Sequence, residues 1–388
     1  MRLAWVSPLP PARSGIADYS AELLPALAGR ADVALFAPPP WQGSPLPGVP
    51  VQPLEALPAQ AANFDRIVYQ LGNNPYHAGI YDLALRIPGV VVLHDYLLHL
   101  LVARCTVAAG DLEGYAWHLA YERGPAGVAT ALRRHWGVFS EAEQFLDPLN
   151  RALLDRSRGV IVHNRWSAEQ VRRSDPGLPV GQVPHHLAPI SEHGREQARQ
   201  QIGLAPDEVM LASFGFIARY KRVDSLLEAY MALRRERPEV RCFLVGEPDP
   251  ALDLPGGLDR LGLRDRVVVT GYVALEQFYR YIAACDVAVN LRYPTAGETS
   301  GALLRLLGCG KAVILSNVQP FAEWPDDVCL KVDLGPAEVP MLLHYLRRLV
   351  QDAALRRQLG ENARRYVGTH HTLERSAAEY LSFLGRIQ

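Results

Sequence analysis

Lysine is scarce in this chain of 388 residues: only Lys221, Lys311 and Lys331 are present, and arginine makes up the rest of the 40 basic residues. The formal net charge is -1, so the chain has no overall field that would attract nucleic acid. No stretch approaches the roughly 20 uninterrupted apolar residues of a membrane-spanning helix. The apolar run after Met1 reaches Pro8 at once, too short for a secretory signal. We therefore expect a cytoplasmic protein without a nucleic-acid partner.

Metal and redox chemistry have little support in the sequence. The five cysteines are odd in number, lie far apart in mostly apolar runs and form no C-x-x-C pair, so we expect buried thiols in a reducing compartment. His185 and His186 are adjacent, so their side chains point apart, and no cysteine or carboxylate cluster accompanies them. We predict no metal site and, without a G-x-G-x-x-G motif, no dinucleotide cofactor.

Short apolar runs alternate with helical patterns through both halves of the chain, which predicts α/β units and mostly parallel sheets. The length exceeds what one core usually supports, so two domains are expected. A polar stretch over 184–200 marks the boundary, and the proline-rich stretch Pro38–Pro58 is predicted to be a surface loop. We predict a doubly wound domain over 1–187 with a helical insertion near 97–158, a second over 188–370, and a final helix over 371–388 that packs back on the first.

The segment from Leu291 to Asn317 has the pattern of a strand end, a glycine-rich loop, a short helix and a further strand. Thr299 and Ser300 fall where the helix N-cap belongs, and Gly301 would let a diphosphate approach the backbone. Helix N-termini attract anions because unpaired amides and the helix dipole meet there. The pattern therefore predicts a phosphate site, although an ordinary α/β turn has the same sequence.

Two cations, Arg219 and Lys221, follow a strand of the second half and precede a helix. Cations placed opposite a helix N-terminus can hold a diphosphate and stabilise the charge that it gains as a leaving group. The alternative is a pair of solvated surface bases. Because the chain has so few lysines, we favour a functional Lys221.

These motifs resemble those of the retaining GT-B glycosyltransferases of family 4, over nearly the whole length. The resemblance is carried by Ser14-Gly15 after the first strand, His94 at the end of a first-domain strand, Lys221, and the loop–helix–Gly-Lys-x-Val-Ile block that starts near Glu298. It implies two Rossmann-like domains that face each other across a cleft. The acceptor would bind to the first domain and a nucleotide-diphosphate sugar to the second.

The resemblance also implies residue roles. Lys221 matches the lysine that contacts the donor diphosphate, whereas Phe216 occupies the place of the usual arginine, for which Arg219 is the nearest substitute. Arg305 stands where the family has a ribose-contacting glutamate, and Glu298, one position from the other usual glutamate, keeps a role at the sugar hydroxyls. The Gly-Glu-Thr-Ser-Gly form of the loop looks like a subgroup variant.

Further loops at strand ends carry the remaining candidate residues, although turn chemistry would select the same residue types. His94 matches a histidine near the transferred sugar, and Gly15 a loop near the donor phosphates. Backbone contacts to the nucleotide are expected at Gly246, Glu247, Gly271 and Tyr272, together with Arg305. Acceptor contacts are expected at Asn73, Asn74, His77, Asp95, His163 and Asn164.

The expected activity is a metal-independent transfer of a hexose, with retention, to a glycan, lipid-linked or small-molecule acceptor in polysaccharide or glycoconjugate biosynthesis. Alternatives are a non-catalytic sugar-nucleotide-binding partner subunit, a nucleotide-sugar epimerase and a phosphorylase on the same plan. The lysines offer no clear Schiff-base candidate for a pyridoxal-dependent phosphorylase. Arg133, Arg134 and Trp136 form a basic and aromatic cluster in the insertion, which fits either peripheral membrane contact or a solvated helix face.

Overall fold

A computed structural model describes residues 1–190 and 193–387 and divides the chain into two compact units. Residues 191 and 192 of the boundary stretch 184–200, and residue 388 of the final segment 371–388, lie outside the described residues. Unit 1 comprises Met1–Ala188, Ala296–Thr299 and Thr372–Gln388, and unit 2 comprises Pro189–Thr295 and Ser300–His371.

Unit 1 is built on a parallel sheet whose strands have the order β3-β2-β1-β4-β5-β6-β7. Two interior strands, β5, Val90–Leu93, and β6, Gly159–Val162, are buried along their whole length. Such uninterrupted apolar strands belong to a parallel sheet with helices on both faces. The other strands are β1 Arg2–Val6, β2 Asp32–Ala37, β3 Val51–Pro53, β4 Arg66–Leu71 and β7 Val180–Gln182.

The helices of unit 1 begin at residues that suit an N-cap or a first turn. Ser14 caps α1 by accepting from the amide of Ile16, and Asn164 caps α8 by accepting from that of Ser167. Four of the helices lie between β5 and β6. The helices are α1 Gly15–Ala28, α2 Leu57–Gln60, α3 Ala78–Arg86, α4 His99–Cys105, α5 Leu112–Arg123, α6 Pro125–His135, α7 Arg151–Leu154 and α8 Arg165–Ser174.

The prediction of a plain surface loop over Pro38–Pro58 is confirmed for residues 38–50 and wrong from Val51 onward. Residues Val51–Pro53 form the edge strand β3, which pairs in parallel with Leu35–Ala37 of β2. A proline is tolerated at this place because an edge strand leaves one row of amides outside the ladder. Leu54, directly after the strand, is buried in the core.

Unit 2 contains a second parallel sheet, with the strand order β10-β9-β8-β11-β12-β13. Its two central strands are again apolar: Val287–Asn290 is fully buried, and Val209–Phe214 nearly so. The strands are β8 Val209–Phe214, β9 Val240–Val245, β10 Val267–Val269, β11 Val287–Asn290, β12 Ala312–Ser316 and β13 Leu330–Val332.

Helices cover the second sheet, and the long helical pattern near its end is interrupted at Asp352. This residue leaves the helical conformation and accepts from the amide of Leu355, so that it caps a new helix. The helices of unit 2 are α9 Arg195–Gln201, α10 Val223–Glu236, α11 Leu254–Arg260, α12 Leu275–Ala284, α13 Gly301–Gly308, α14 Glu338–Gln351 and α15 Ala353–His370.

The last helix, α16 Leu373–Arg386, belongs to unit 1. Its buried face includes Tyr380 and Phe383, and the ring of Tyr380 lies 5.6 Å from that of Trp5 in β1. The tyrosine hydroxyl is 2.9 Å from that of Tyr19 in α1. The C-terminal helix is therefore part of the core of unit 1.

Residues 296–299 differ from the expected division of the chain. They follow β11 and precede α13, both of unit 2, but they group with unit 1.

All five cysteines are free, and Cys242, Cys285 and Cys329 are buried. Across the described residues, the helices include none whose length and apolar character would let it cross a membrane.

Candidate functional site

The sheet of unit 2 changes direction at β8. Its chain neighbour β9 lies on one side and β11 on the other, so the loops after β8 and β11 open at a topological switch point. Ligands of open parallel sheets bind at such points because the two loops diverge and leave a crevice. Lys221 lies in the first loop region, and Ser300 ends the second.

Lys221 is held against the end of β8 and the beginning of α13. It lies in a 3-10 turn over Arg219–Lys221, and its Nζ donates to the carbonyl of Phe214 at 3.0 Å. Gly215 has a φ of +89°, and a Cβ there would be 2.8 Å from Lys221 Nζ and 4.0 Å from Ala302 Cβ. The ammonium group, the glycine and the first turn of α13 therefore meet within a few ångströms.

The N-terminus of α13 is formed as the sequence predicts. Ser300 is the N-cap, and its Oγ accepts from the amide of Leu303 at 3.2 Å. The remaining first-turn amides have no partner inside the helix, and they point along the helix axis toward the space before it. Gly301 and Ala302 thus present donors beside the Lys221 ammonium, an arrangement that suits a phosphate.

The loops after β8 and β11 are also tied to each other. The amide of Tyr293 donates to the carbonyl of Tyr220 at 2.7 Å, and the Arg292 guanidinium lies over the Tyr220 ring at 5.5 Å. Arg292 is almost completely buried, whereas Arg219 is exposed. Three cationic side chains, Arg219, Lys221 and Arg292, therefore belong to this pair of loops.

The predicted nucleotide loops follow the neighbouring strands β9 and β10. The amide of Gly246 donates to Thr270 Oγ1 at 3.2 Å, and the carbonyl of Glu247 accepts from Ile217 at 2.8 Å. A Cβ on Gly246 would be 2.1 Å from the carbonyl oxygen of Gly215, so only glycine fits there. Tyr272 is 57% exposed and Gly271 has a φ of +69°. These loops lie beside the Lys221 loop.

The two departures from the family pattern have distinct surroundings. Phe216, in the place of the usual arginine, is 44% exposed. Arg305 lies on α13 and donates from Nη1 to the carbonyl of Gly301 at 3.4 Å. Its positive charge therefore lies near the first turn of the helix, where a carboxylate would stand in the family.

In unit 1 the corresponding switch point lies between β1 and β4. The loops after β1, β4 and β5 meet at Gly72, where a Cβ would be 2.4 Å from Ile16 Cδ1 and 3.2 Å from Asp95 Oδ2. Asp95 Oδ2 accepts from the amide of Asn73 at 2.6 Å. Gly15 is exposed at the start of α1, and a Cβ there would meet open space.

Several predicted acceptor residues make structural contacts. Asn73 Oδ1 accepts from the amide of Leu101 at 3.0 Å, and Asn74 Oδ1 from that of Tyr76 at 3.0 Å. His77 has no exposed surface and pairs through Nδ1 with the carbonyl of Gln70 at 2.9 Å. Burial lowers the pKa of His77 to about 4, so the ring is neutral at physiological pH. These contacts fit the turn chemistry that the sequence had left open.

Histidines from three strand ends surround a buried tyrosine in unit 1. The Tyr19 ring lies 4.7 Å from that of His94, 5.2 Å from His163 and 4.8 Å from His185. His94 Nε2 pairs with Gln70 Oε1 at 2.8 Å. Burial lowers the pKa of His94 well below its usual value, and the neighbouring imidazoles lower it further. His94 and His163, both predicted site residues, are thus brought together, whereas Tyr19 was not predicted.

Residues 296–299 are held within unit 1 by the start of α8. Asn164 Nδ2 donates to the carbonyl of Gly297 at 3.0 Å and to Thr299 Oγ1 at 3.2 Å, and Ser167 Oγ donates to the same carbonyl at 3.0 Å. Glu298 Oε2 accepts from the amide of Ala296 at 2.8 Å. Asn164, Glu298 and Thr299 therefore lie together. Ser167 was not predicted, although it lies only three residues after Asn164, which was predicted.

Among the described side chains, no group of three histidine, cysteine or acidic residues is placed to hold a metal ion. His185 Nδ1 pairs with the carbonyl of His186 at 2.8 Å, and His186 Nε2 lies 3.4 Å from Glu22 Oε2. The adjacent histidines are thus engaged in separate local contacts.

This geometry is that of a two-unit α/β protein in which Lys221 and the N-terminus of α13 lie at the switch point of the second sheet. Residues 194–366 match the family model described as "Glycosyl transferases group 1". The match covers both Lys221 and the α13 N-terminus.

Two solved structures share the fold of the chain. A sucrose-phosphate synthase from Thermosynechococcus elongatus has a TM-score of 0.71 at 20% identity, over 100% of this chain and 98% of that one. Anabaena Alr3699/HepE, solved in complex with UDP and glucose, has a TM-score of 0.69 at 16% identity over 100% of both chains. The predicted GT-B fold class is thereby confirmed.

An alpha-D-kanosaminyltransferase from Streptomyces kanamyceticus is 25% identical over 235 residues, which are 57% of this chain and 59% of that protein. The chain therefore spans less than two thirds of the length of this curated relative. At these identities the solved structures establish the fold, and the substrates of this chain have to be argued from its own residues.

Proposed function

We propose that this protein is a glycosyltransferase that moves a hexose from a nucleotide-diphosphate sugar to an acceptor hydroxyl with retention of configuration. The observation that carries the proposal is the meeting of the Lys221 ammonium, Gly215 and the first turn of α13 at the switch point of unit 2. A fixed cation beside helix amides stabilises a diphosphate both when it binds and when it departs.

The donor nucleotide is proposed to lie along the loops after β9 and β10, at Gly246, Glu247, Gly271 and Tyr272. A uridine nucleotide is the first candidate, because Alr3699/HepE has the same fold and was solved with UDP and glucose. Arg305 takes the place of a ribose-contacting carboxylate, so we expect the ribose to be bound more through backbone groups. Arg219 is proposed to supply the second cation at the diphosphate.

The proposed reaction needs no metal, because the cations of the protein neutralise the leaving diphosphate. The bond from the anomeric carbon to the diphosphate oxygen breaks while the acceptor oxygen bonds to the same face of the sugar. The acceptor proton passes to the departing phosphate oxygen. Glu298 is proposed to accept from the sugar hydroxyls, and His94 to lie near the transferred sugar.

The acceptor is proposed to bind to unit 1, near Gly15, Asp95, His163 and Asn164, and to be a glycan, a lipid-linked glycan or a small molecule. The protein is proposed to act in the cytoplasm in glycoconjugate synthesis, with peripheral contact to the inner face of the membrane. Neither statement depends on the choice of donor base.

The test is a thermal-shift panel of UDP, GDP and ADP with their glucose, galactose, mannose and N-acetylglucosamine conjugates, followed by donor turnover with and without EDTA. We expect one nucleotide to stabilise the wild type, and Lys221→Ala to lose this shift and about a hundredfold in turnover. Lys331→Ala is the matched control, since Lys331 lies on β13 at the sheet edge.

Each alternative has its own outcome in the same experiment. Binding without transfer or donor hydrolysis would indicate a non-catalytic partner subunit, and conversion of the donor into its epimer would indicate an epimerase. Inverted product anomers, read by NMR, would contradict the proposed mechanism. Loss of turnover in EDTA would contradict metal independence.

A further inference from the structure

The helix α6 of the insertion in unit 1 buries small residues and exposes large apolar ones, the reverse of an ordinary surface helix. Its buried positions hold the small residues Gly127, Thr130 and Ala131. The exposed positions hold larger apolar ones: Val128 is 39% exposed and Leu132 is 43% exposed. Helices that pack on a core usually bury their large apolar side chains, so this face is directed at something other than the core of the protein.

The exposed apolar surface continues past the end of the helix. Val128, Leu132 and Trp136 follow one another at spacings of four residues, so they form a single stripe along α6. Trp136 is 70% exposed, and Val138 and Phe139, just beyond, are 62% and 51% exposed. We call these five residues the α6 surface. Eight of the 15 large apolar residues that are exposed in the described chain lie between residues 117 and 146.

The close packing of α6 on α5 explains why the large apolar side chains of α6 are exposed. A Cβ on Gly127 would be 1.9 Å from the carbonyl oxygen of Leu119, so the two helices touch at their backbones. No larger residue fits between them. The big side chains of α6 are therefore left on the outer side, and the pair of helices forms a stiff support for them.

Arginine side chains accompany the α6 surface, and the nearest acidic residues along the chain, Glu141 and Glu143, follow it. Residues 125–140 contain Arg133, Arg134 and His135 and no acidic residue. Arg133 and His135 are exposed beside the apolar stripe, whereas the Arg134 guanidinium lies over the Phe139 ring at 4.6 Å. Exposed tryptophan and aliphatic side chains flanked by arginine match the boundary of a bilayer, where apolar groups enter the acyl region and cations meet anionic headgroups.

We propose that the α6 surface docks on an anionic lipid bilayer and holds unit 1 at the membrane. A second copy of the chain fits less well, because a two-fold contact centred on this face would bring the exposed Arg133 of one copy near that of the other. The inference does not rest on the transfer activity, since lipid binding is measured without donor or acceptor.

The experiment is flotation of the full chain with vesicles of phosphatidylcholine alone or with roughly one third phosphatidylglycerol. We expect binding to the anionic vesicles only. The ratio of vesicle-bound to free protein should fall about tenfold in the double variant Leu132→Ser/Trp136→Ser. Arg133→Gln should weaken binding by about fivefold. Leu275→Ser is the matched control, because this helical leucine of unit 2 is also 43% exposed.

Three results would overturn the proposal. One is the absence of binding to either vesicle, and another is undiminished binding of the Leu132→Ser/Trp136→Ser variant. The third is a dimer in solution that this variant dissociates, which would assign the surface to a second copy. Circular dichroism and thermal melting of each variant show that it is folded, so that a loss of binding reports on the surface itself.

Discussion

The side-chain amide of Asn164 donates to the carbonyl of Gly297 at 3.0 Å, across 133 residues of sequence. Ser167 donates to the same carbonyl, also at 3.0 Å. Gly297 has a φ of +81°, and a Cβ there would be 2.5 Å from Trp166 and 2.7 Å from Tyr96 Cβ. The short segment that carries Glu298 is thus fixed by backbone shape as well as by hydrogen bonds.

We therefore expect Gly297→Ala to lower the free energy of unfolding by about 3 kcal/mol, from the left-handed φ together with the clash. Gly110→Ala is the control, because Gly110 has a φ of +84° in unit 1 and open space around a Cβ. It should cost about 1 kcal/mol, the strain alone. Urea unfolding measures both. Equal losses in the two variants would mean that the contacts of Gly297 do not constrain the segment.

Gly215 gives a similar test in unit 2, directed at binding. A Cβ there would be 2.8 Å from Lys221 Nζ, so Gly215→Ala should displace the ammonium group from the first turn of α13. We expect about tenfold weaker binding of the donor nucleotide, since a displaced cation loses its charge-assisted hydrogen bonds to phosphate. Isothermal titration with the nucleotide found in the thermal-shift panel measures the effect.

The control for this variant is Gly335→Ala, which has a φ of +99° but no atom within 4 Å of a Cβ. It carries the same backbone strain without approaching Lys221. Should Gly335→Ala weaken nucleotide binding as much as Gly215→Ala, the loss would come from general strain, and the Lys221 site would not be the cause.

The parallel sheets and the cap at Ser300 could be predicted because they depend on local patterns: apolar runs, their spacing and a hydroxyl before a helix. The strand Val51–Pro53 could not, since its apolar content is low and only its pairing with β2 makes it a strand. The contacts of Asn164 with residues 297 and 299 are equally non-local. Sequence patterns predict neither kind of long-range pairing.

Candidate site residues also divide into those that local patterns indicate and those that depend on long-range contacts. Lys221 could be named as a candidate because lysine is rare here and this one follows a strand, and its role stays a prediction. The restriction at Gly215 could not be anticipated, because it depends on where the Lys221 side chain turns. Asn74 and His77 have types that suit a site, yet their partners are the amide of Tyr76 and the carbonyl of Gln70. Residue type alone could not separate a turn from a binding loop.

The terminal helix should be essential to the stability of unit 1. Tyr380 is fully buried, its hydroxyl is 2.9 Å from that of Tyr19, and its ring lies 5.6 Å from Trp5. We expect Tyr380→Ala to cost about 4 kcal/mol in urea unfolding, and Tyr380→Phe about 1 kcal/mol for the lost hydrogen bond. Tyr76→Ala, at a 43% exposed tyrosine, is the control and should have little effect. A small loss in Tyr380→Ala would show that α16 is dispensable.

Acid should destabilise unit 1 through its buried histidines. Burial lowers the pKa of His77 to about 4, whereas an unfolded histidine titrates near 6.5. The unfolded state therefore binds the proton first as the pH falls. The stabilising contribution is complete above about pH 6.5 and is lost as the pH falls toward 4, by about 3 kcal/mol in total. His94, whose pKa is also lowered, acts in the same direction.

Urea unfolding at about pH 7.5 and about pH 5 tests this, with a loss of about 2 kcal/mol expected from His77 alone between the two. His77→Gln should remove that part of the loss, because glutamine does not titrate, while the carboxylates that also respond to acid are unchanged. His344→Gln, at an exposed histidine of α14, should keep the wild-type pH dependence. If His77→Gln lost as much stability in acid as the wild type does, His77 would have to be protonated in the folded protein, contrary to its burial.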